Sequence, residues 1–411
     1  MIPYGRQTID EDDIKAVIDV LRSDWLTTGP KVSEFEQALA DYVCAKHAIA
    51  VSSGTAALHC AMYALGIGPG DEVIVAPITF AATANCVVFQ GGTPVFADVD
   101  PDTLLLDPAK AEKKITEKTR AIIGVDYAGQ PCDWDRLREI ADRYGLRLVA
   151  DGCHALGAEY KGRKVGSLAD MTIFSFHPVK HITTGEGGMI TTDDPELAGR
   201  MRLLRNHGIT TDARQREEQG SWFYEMVDLG YNYRITDFQC TLGISQLHKL
   251  PKFLQRRREI AALYDEALVD IPGIEPLGLR ADVFPAKQFV MFPAPSSISS
   301  SSNSMLHVPC SMPSNHAYHL YVIRIDSNVL GIDRTTLFTN LRGKGIGVNV
   351  HYIPVYLHPF YREKYHTGIG LCPVAEAAYE QIISLPMFPG MTDEDVSKVT
   401  ERLRNIILEC C

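Results

Sequence analysis

The sequence has 411 residues, of which 45% are hydrophobic and 22% charged, a composition typical of a globular protein long enough for two domains. The formal net charge is −11 with both signs mixed along the chain, and no apolar stretch is long enough to span a membrane. The first residues lack the apolar run of a signal peptide, and ten cysteines without a CxxC pair indicate reduced thiols and no structural zinc. We therefore expect a cytoplasmic protein that binds neither nucleic acid nor a membrane.

Two amphipathic helices are predicted near the start of the chain. Thr8 and Glu11 have the spacing of a capping box, which would begin the first helix. Apolar residues then recur at helical spacing, at Ile14, Val17, Ile18 and Leu21 in the first helix and at Val32, Phe35, Leu39 and Tyr42 in the second.

The following part of the chain alternates between strand-like and helical segments. One helical pattern, closed by Gly145, contains Leu137, Ile140, Ala141 and Tyr144. Short runs rich in β-formers are found at residues 48–51, 73–77, 94–97, 121–125, 146–150, 171–175 and 189–192. This alternation predicts an α/β domain with a mostly parallel sheet covered by helices.

The pattern changes at about residue 250. A charged helix at 253–269, strands at 320–325 and 346–352 and a last helix at 393–408 predict a smaller α+β domain. We therefore divide the chain into a large domain, 1–250, with an N-terminal arm, and a small C-terminal domain, 251–411. Residues 281–314 are rich in proline and then in serine, which predicts an irregular, mobile surface insertion without a function of its own.

Small residues follow the first predicted strand, in the run Ser52-Ser53-Gly54-Thr55. They would expose backbone N–H groups at the start of a helix, where the helix dipole favours a phosphate. Small residues at such a turn are also typical of close packing, so this feature alone does not define a site.

Asp151 lies directly after the predicted strand 146–150. The carboxyl ends of parallel strands are where α/β sheets bind ligands. By itself, however, an aspartate at this position is equally typical of a helix cap or a solvated turn.

Lys180 lies just past the predicted strand 171–175, among hydroxyl residues and glycines. A single lysine is most often a solvated surface charge. Here the apolar residues before it and the glycines after it predict a close-packed site. Desolvation would lower the lysine pKa there and make its amine a usable nucleophile.

Together these features provide what pyridoxal 5′-phosphate (PLP) chemistry requires. A helix N-terminus would hold the phosphate, a carboxylate would keep the pyridine nitrogen protonated, and a lysine would form the Schiff base. The sequence also resembles the sugar aminotransferases of the DegT/DnrJ/EryC1/StrS family, which are fold-type I PLP-dependent transferases. The resemblance covers nearly the whole chain and is most specific in residues 25–30, 175–188, 231–237 and 351–356.

The resemblance implies a role for individual residues. Lys180 is the Schiff-base lysine and Asp151 the partner of the pyridine nitrogen, the two catalytic residues. Asn232 is similar to a residue that crosses to the cofactor phosphate of a neighbouring subunit, which implies a homodimer with shared active sites. The other implied cofactor ligands are Gly54, Thr55 and Ser175 at the phosphate, Phe80 on the ring face and His154 beside the ring hydroxyl.

Within the family, residues 125–129, 154–157 and 243–247 are most similar to transaminases of the pseudaminic acid pathway. This closer likeness implies amination at C4 of UDP-2-acetamido-2,6-dideoxy-β-L-arabino-hex-4-ulose with L-glutamate as the amino donor. The residues that it places beside the sugar nucleotide are Tyr4, Trp25, Leu26, Thr27, Asn349 and His351. Tyr352 and Trp25 could provide stacking surface for the sugar or the base.

Three other functions are alternatives to amination of this UDP-sugar. A PLP-dependent sugar dehydratase of the same scaffold carries histidine in place of the lysine, whereas here Lys180 is retained and His181 follows it. A non-catalytic PLP-binding protein would not need Lys180, Asp151 and the phosphate site together. Amination of another dTDP- or UDP-linked keto sugar, at C3 or C4, remains open at this point.

Overall fold

A computed structural model describes residues 1–211, 213–218, 220–280 and 316–410. The predicted insertion at 281–314 lies outside the described residues. The strands are β1 (His47–Val51), β2 (Glu72–Val75), β3 (Thr93–Phe96), β4 (Thr119–Val125), β5 (Arg147–Asp151), β6 (Glu159–Tyr160), β7 (Arg163–Lys164), β8 (Met171–Ser175), β9 (Gly188–Thr192), β10 (Ile274–Pro276), β11 (Tyr321–Ile325) and β12 (Ile382–Leu385).

Helices cover the sheets and connect their strands. They are α1 (Glu11–Leu21), α2 (Pro30–Val43), α3 (Gly54–Ala64), α4 (Ala82–Phe89), α5 (Pro108–Glu112), α6 (Trp134–Tyr144), α7 (Pro195–Arg205), α8 (Ala213–Glu218), α9 (Asp237–Leu268), α10 (Ser327–Leu330), α11 (Arg334–Gly343), α12 (Pro359–Tyr365), α13 (Pro373–Tyr379) and α14 (Asp393–Cys410). None of the helices in the described ranges is long and apolar enough to cross a bilayer.

The central sheet has seven strands in the order β1-β9-β8-β5-β4-β2-β3. Strand β9 pairs antiparallel with both neighbours, and the pairs from β8 to β3 are all parallel. Its strands are almost wholly buried because helices cover both faces, which explains their continuous apolar runs. The predicted α/β class with a mostly parallel sheet is therefore confirmed, and all seven predicted strands of the first half match observed strands within a few residues.

A second hydrophobic core surrounds the three-stranded sheet β10-β11-β12. Helix α9 connects the two cores: Leu250 and Leu254 belong to the first, whereas Ile260 and Tyr264 belong to the second. The predicted start of this helix at 253 was wrong, because a capping box of Thr236 and Gln239 begins it at Asp237. The predicted domain division at 250/251 falls within this continuous helix and stays a prediction.

Two further predictions about local structure were wrong. Helix α1 begins after Asp10, which forms the capping box with Asp13, so Thr8 and Glu11 do not form it. Residues 346–352 do not form a strand: they pair only at isolated bridges, Ile346 with Ile2 and Asn349 with Ser384. Their polar side chains face a cavity, and no continuous ladder partner runs beside them.

The N-terminal helix also packs in an unexpected direction. Asp13 is its buried polar residue, and its carboxylate accepts hydrogen bonds from Ser245 and Gln246 and pairs with Lys249 on α9. Because this polar side faces α9, the predicted apolar residues Ile14, Ile18 and Leu21 are exposed. Only Val20 among the apolar residues of α1 is buried.

Candidate active site

The carboxyl ends of neighbouring strands meet at one edge of the central sheet. Asp151 is the last residue of β5 and Ser175 the last residue of β8. Gly188 on β9 pairs with Ser175 on one side and with Val51 of β1 on the other. The turn from β1 into α3 therefore lies beside Ser175, as expected for a ligand site at the edge of an α/β sheet.

A cavity of about 570 Å³ opens at this edge. It contains eleven of the predicted site residues: Tyr4, Gly54, Thr55, Phe80, Asp151, His154, Ser175, Lys180, Asn349, His351 and Tyr352. Tyr4 and Tyr352 are 348 positions apart in the sequence, and the fold brings them to the same cavity. The volume of this cavity is in the range of small-molecule and cofactor sites.

The N-terminus of α3 forms one end of the cavity. Ser53 caps the helix, and its side chain accepts a hydrogen bond from the Ala56 N–H. The N–H groups of Gly54 and Thr55 belong to the first turn and have no acceptor within the helix. A Cβ on Gly54 would lie 3.0 Å from the Ser175 Cβ, so glycine keeps the hydroxyl and the helix end close together. This arrangement fits a phosphate group.

Asp151 lies in the cavity wall and is buried. One carboxylate oxygen accepts a hydrogen bond from the Thr83 hydroxyl at 2.7 Å, and the other accepts one from the Cys153 N–H at 3.2 Å. Thr83 is itself hydrogen-bonded to the Thr79 hydroxyl at 2.7 Å. These bonds orient the carboxylate within the cavity wall. It can therefore pair with a protonated ring nitrogen.

Lys180 is the one lysine among the described residues that line the cavity. It follows β8 in a turn, where its N–H donates to the His177 carbonyl at 2.9 Å. Burial of its surroundings lowers the pKa of the Lys180 amine, an effect only partly offset by Cys153 and Asp151. A lowered pKa increases the neutral fraction, and only the neutral amine can act as a nucleophile or a base.

The opposite wall is built from the segment after Ile346. The Tyr352 hydroxyl and the His154 Nε2 are hydrogen-bonded at 3.1 Å, and their rings stack. The His351 Nδ1 is 2.8 Å from the Ser384 hydroxyl, and its Nε2 is 3.3 Å from the Asn349 amide. Burial lowers the pKa of His351 to about 3, so this imidazole is neutral and serves as a polar wall.

Phe80 is 62% exposed although it lines the cavity. Its ring lies 6.3 Å from that of Tyr352, tilted by 56°. An aromatic face left open inside a cavity offers a stacking surface to a planar ring. The phosphate site, the carboxylate, the lysine and this ring face are together the set of groups that PLP requires, so the residues present fit this cofactor.

Four predicted residues lie outside this cavity within the described part of the chain. Trp25, Leu26 and Thr27 lie beside the start of α9, where Thr27 pairs with Thr236 and the Leu26 carbonyl accepts from the Asp237 N–H. Asn232 is exposed and pairs with Asn206. One chain alone therefore does not bring these four residues to Lys180.

The structure also adds residues that the sequence analysis did not assign. Thr83 is the second residue of α4, three positions after Phe80, and its residue type alone does not indicate a contact with Asp151. His319 lines the cavity with its ring 4.2 Å from that of His154. It follows the residues 281–315, and no local pattern connects it to Lys180. Cys153 also lines the cavity, as do His177 and Glu186 within the segment 175–188.

Comparison with known proteins identifies the family. The model of the DegT/DnrJ/EryC1/StrS aminotransferase family matches residues 7–308 and 300–404. The chain belongs to this family. It is 40% identical over 408 residues to the Bacillus subtilis spore coat polysaccharide biosynthesis protein SpsC, covering 99% of this chain and 97% of that protein.

Two solved structures show the same fold. Helicobacter pylori PseC, an aminotransferase involved in the biosynthesis of pseudoaminic acid, is 32% identical with a TM-score of 0.85, covering 99% of each chain. The PMP form of the putative sugar aminotransferase Spr1654 from Streptococcus pneumoniae is 34% identical with a TM-score of 0.85, covering 100% of each chain. Its PLP form has also been solved. The protein is thus a PLP-dependent sugar aminotransferase, and the fold-type prediction is confirmed.

Proposed function

We propose that this enzyme transfers the amino group of L-glutamate to C4 of UDP-2-acetamido-2,6-dideoxy-β-L-arabino-hex-4-ulose, as in pseudaminic acid biosynthesis. The full-length similarity to PseC, which covers 99% of both chains, is the observation that supports this substrate most directly. The cavity supports the chemistry, because Lys180, Asp151 and the α3 N-terminus line one space.

The chain's own residues would hold the cofactor as follows. Gly54, Thr55 and Ser175 would bind the phosphate, Asp151 would pair with the ring nitrogen, and Lys180 would hold the cofactor covalently through Nζ. Phe80 would cover one ring face, and His154 would lie beside the ring hydroxyl. When bound, PLP supplies the carbonyl that receives the amino group and the ring that withdraws electrons from the reacting carbon.

Lys180 would then move the protons in both half-reactions. Once free, its neutral Nζ would take the proton from the α carbon of glutamate and deliver it to the cofactor carbon in the first half. In the second half it would take a proton from that carbon and deliver it to the sugar carbon that receives the nitrogen. The lowered pKa of this amine in its buried surroundings fits that role, because a base must be deprotonated before it acts.

Tyr4, Asn349, His351 and Tyr352 would form the sugar side of the site. Asn349 and His351 present polar atoms beside the cavity, and the Tyr4 ring lies 5.5 Å from that of His351. Such groups can hydrogen-bond the N-acetyl and hydroxyl groups of the sugar. An analogue that lacks those groups would leave buried polar atoms without partners, which is why we expect strong rejection of it.

The proposal includes a homodimer with shared active sites. Several apolar side chains between residues 222 and 231 are exposed, including Trp222 at 85% and Leu229 at 72%. A contiguous exposed apolar segment is typical of a protein interface. Asn232 directly follows it, and Trp25, Leu26 and Thr27 would likewise reach the partner's site. We also propose a cytoplasmic location, since seven cysteines in the described part of the chain, Cys44, Cys60, Cys86, Cys132, Cys153, Cys240 and Cys372, are free thiols.

The role of Lys180 is tested by borohydride reduction of the purified enzyme followed by peptide mass analysis. The pyridoxyl group should be found on Lys180, and its presence on another lysine would overturn the assignment. The Lys180→Ala variant should still bind PLP through the phosphate site while transamination falls by orders of magnitude.

The shared site is tested by mixing two inactive proteins, Lys180→Ala and Asn232→Asp. A heterodimer would contain one site with both native residues, so activity should return once the subunits exchange. Demonstrated exchange without any recovered activity would place Asn232 in the site of its own chain.

The substrate is tested by turnover of nucleotide keto sugars with glutamate, followed by NMR of the product. We expect nitrogen at C4 and preference for the β-L-arabino sugar over its D-xylo epimer at C5. Nitrogen at C3, or preference for a dTDP sugar, would refute the substrate and leave the aminotransferase standing. Amination of another dTDP- or UDP-linked keto sugar is the second candidate, because the 40% identity to SpsC, a spore coat polysaccharide biosynthesis protein, exceeds the 32% identity to PseC. A sugar dehydratase is disfavoured because Lys180 is retained.

A further inference from the structure

A second, much smaller cavity lies behind Lys180. Its volume is about 10 Å³, close to the minimum for one water molecule. Lys180 lines both this cavity and the large one. His181, Thr183 and Gln246 also line the small cavity.

One ring nitrogen of His181 is hydrogen-bonded, and the other has no hydrogen-bond partner among the described protein residues. Its Nε2 lies 3.0 Å from the Ala317 carbonyl oxygen, and because a carbonyl only accepts, Nε2 must carry the hydrogen. Burial and the charge of Arg257 lower the pKa of His181 well below its usual value, so the ring is neutral. Nδ1 is then an acceptor, and it is buried without a hydrogen-bond partner among the described protein residues.

Arg6, Gln7 and Thr8 also line the small cavity, and their side chains are exposed or partly exposed and can be hydrated from the surface. The side chains of Thr183 and Gln246 have partners within the protein. The Thr183 hydroxyl donates to the Phe176 carbonyl and accepts from the Gly185 N–H. The Gln246 amide nitrogen donates to Asp13 and to the Thr8 carbonyl. A buried acceptor without a partner is costly, and one water molecule with at least two polar partners is the usual remedy.

We propose that one water molecule in this cavity links Nζ of Lys180 to Nδ1 of His181, which makes His181 a positioning residue for the Lys180 amine. The water accepts a hydrogen bond from Nζ and donates one to Nδ1. It would hold the amine in place during the proton transfers, while Lys180 is not bound to the cofactor. The inference rests on the proposed role of Lys180.

The bridging water should raise the pKa of the Lys180 amine. A hydrogen bond accepted from the ammonium favours the charged form, whereas burial and Arg257 favour the neutral form. Asp151 and Cys153 also face Lys180. The histidines that face Lys180 are His154, His319 and His351, and those that face His181 are His154, His316 and His319. Arg6 lines the same small cavity. Since none of these groups is changed by a substitution at position 181, loss of the bridge alone should lower the Lys180 pKa.

Two substitutions separate the bridge from a structural role of His181. The amide of Gln can replace Nε2 and keep the hydrogen bond to Ala317, but it leaves no acceptor at the Nδ1 position. The amide of Asn can replace Nδ1 and keep the acceptor, but it loses the bond to Ala317. His181→Gln and His181→Asn are therefore matched and opposite controls.

The measurement uses the full-length enzyme in its pyridoxamine phosphate form, in which Lys180 is free. Trace labelling with acetic anhydride across a range of pH, read by peptide mass analysis, gives the pKa of the Lys180 amine, with exposed Lys118 as the internal reference. His181→Gln should lower the Lys180 pKa by about one unit, whereas His181→Asn should leave it unchanged. A crystal structure should show the bridging water in the wild type and the Asn variant only.

The opposite pattern would overturn the proposal. If His181 were only structural, the Gln variant would behave as the wild type and the Asn variant would be the damaged one. A wild-type crystal structure without a water between Nζ and Nδ1 would refute the bridge directly. These outcomes are distinct from failure of the proposed function, because borohydride labelling on another lysine would refute the role of Lys180 whatever the labelling profile showed.

Discussion

Replacing Thr83 by valine should impair catalysis without changing the cavity shape. The Thr83 hydroxyl is fully buried and donates to Asp151 at 2.7 Å, and valine replaces that hydroxyl with a methyl group of similar size. The variant therefore leaves one oxygen of a buried carboxylate without its donor. A hydrogen bond to a charged group contributes about 1.5–3 kcal/mol, and this is the stabilisation that the ionised carboxylate would lose.

Loss of the hydrogen bond from Thr83 to Asp151 should slow the chemical step. Asp151 assists only while its carboxylate is oriented toward the ring nitrogen, so the hydrogen bond from Thr83 matters most when charge develops on the ring. A loss of 1.5–3 kcal/mol corresponds to a rate decrease of about tenfold to a hundredfold. The glutamate-driven change in cofactor absorbance, followed in a single turnover, measures this rate apart from product release.

Thr83→Ser and Thr79→Val are the controls. Serine keeps the hydroxyl at the same carbon, so its rate should stay close to that of the wild type. Thr79 is bonded to Thr83 and not to Asp151, so Thr79→Val should have a smaller effect than Thr83→Val. The reasoning is refuted if Thr83→Val reacts as fast as the wild type, or if Thr83→Ser is as slow as Thr83→Val.

Two other predictions concern stability and cofactor binding. Burial raises the pKa of Asp126 to about 8, so the folded protein keeps a proton that the unfolded chain loses near pH 4, and stability falls between these values. The Asp126→Asn variant should therefore gain about 1.4 kcal/mol per pH unit relative to the wild type across that window, measured by urea unfolding; a pH-independent difference would contradict this. A Cβ on Gly188 would overlap the Ser53 carbonyl, so Gly188→Ala should displace the start of α3 and weaken PLP binding about tenfold or more by titration, whereas Gly199→Ala, with open space around it, should bind normally.

Much of the central sheet could be predicted because its strands are short apolar runs bounded by turn residues. The same periodicity placed Asp151 and Ser175 at strand ends, and parallel pairing brought those ends to one edge. The position of Lys180 followed for the same reason, since it lies in the turn after β8. The local sequence pattern was therefore enough to predict the position of each site residue that lies at the end of a strand.

Residues positioned by long-range packing could not be predicted in this way. His319 reaches the cavity because Arg257 on α9 donates to the carbonyls of Tyr318 and His319, a contact across 62 residues. The apolar residues of α1 were expected to pack inward, but the helix presents Asp13 to α9. A periodic pattern locates an apolar face without showing which face a neighbouring element will cover.

The length of helix α9 affects how a movement of one core reaches the other. By the rise of an α-helix its 32 residues extend about 48 Å, and it is continuous from the first core to the second. At its start, the Asp237 carboxylate accepts from the N–H groups of Gly29 and Lys31, which fixes the segment containing Trp25 and Thr27. Pro251 lies within this helix and has no N–H to donate to the preceding turn, so the helix can bend there. A rotation of the second core would therefore be divided between bending at Pro251 and movement of that segment. In the proposed dimer, only the part that is not absorbed at Pro251 would reach the neighbouring site.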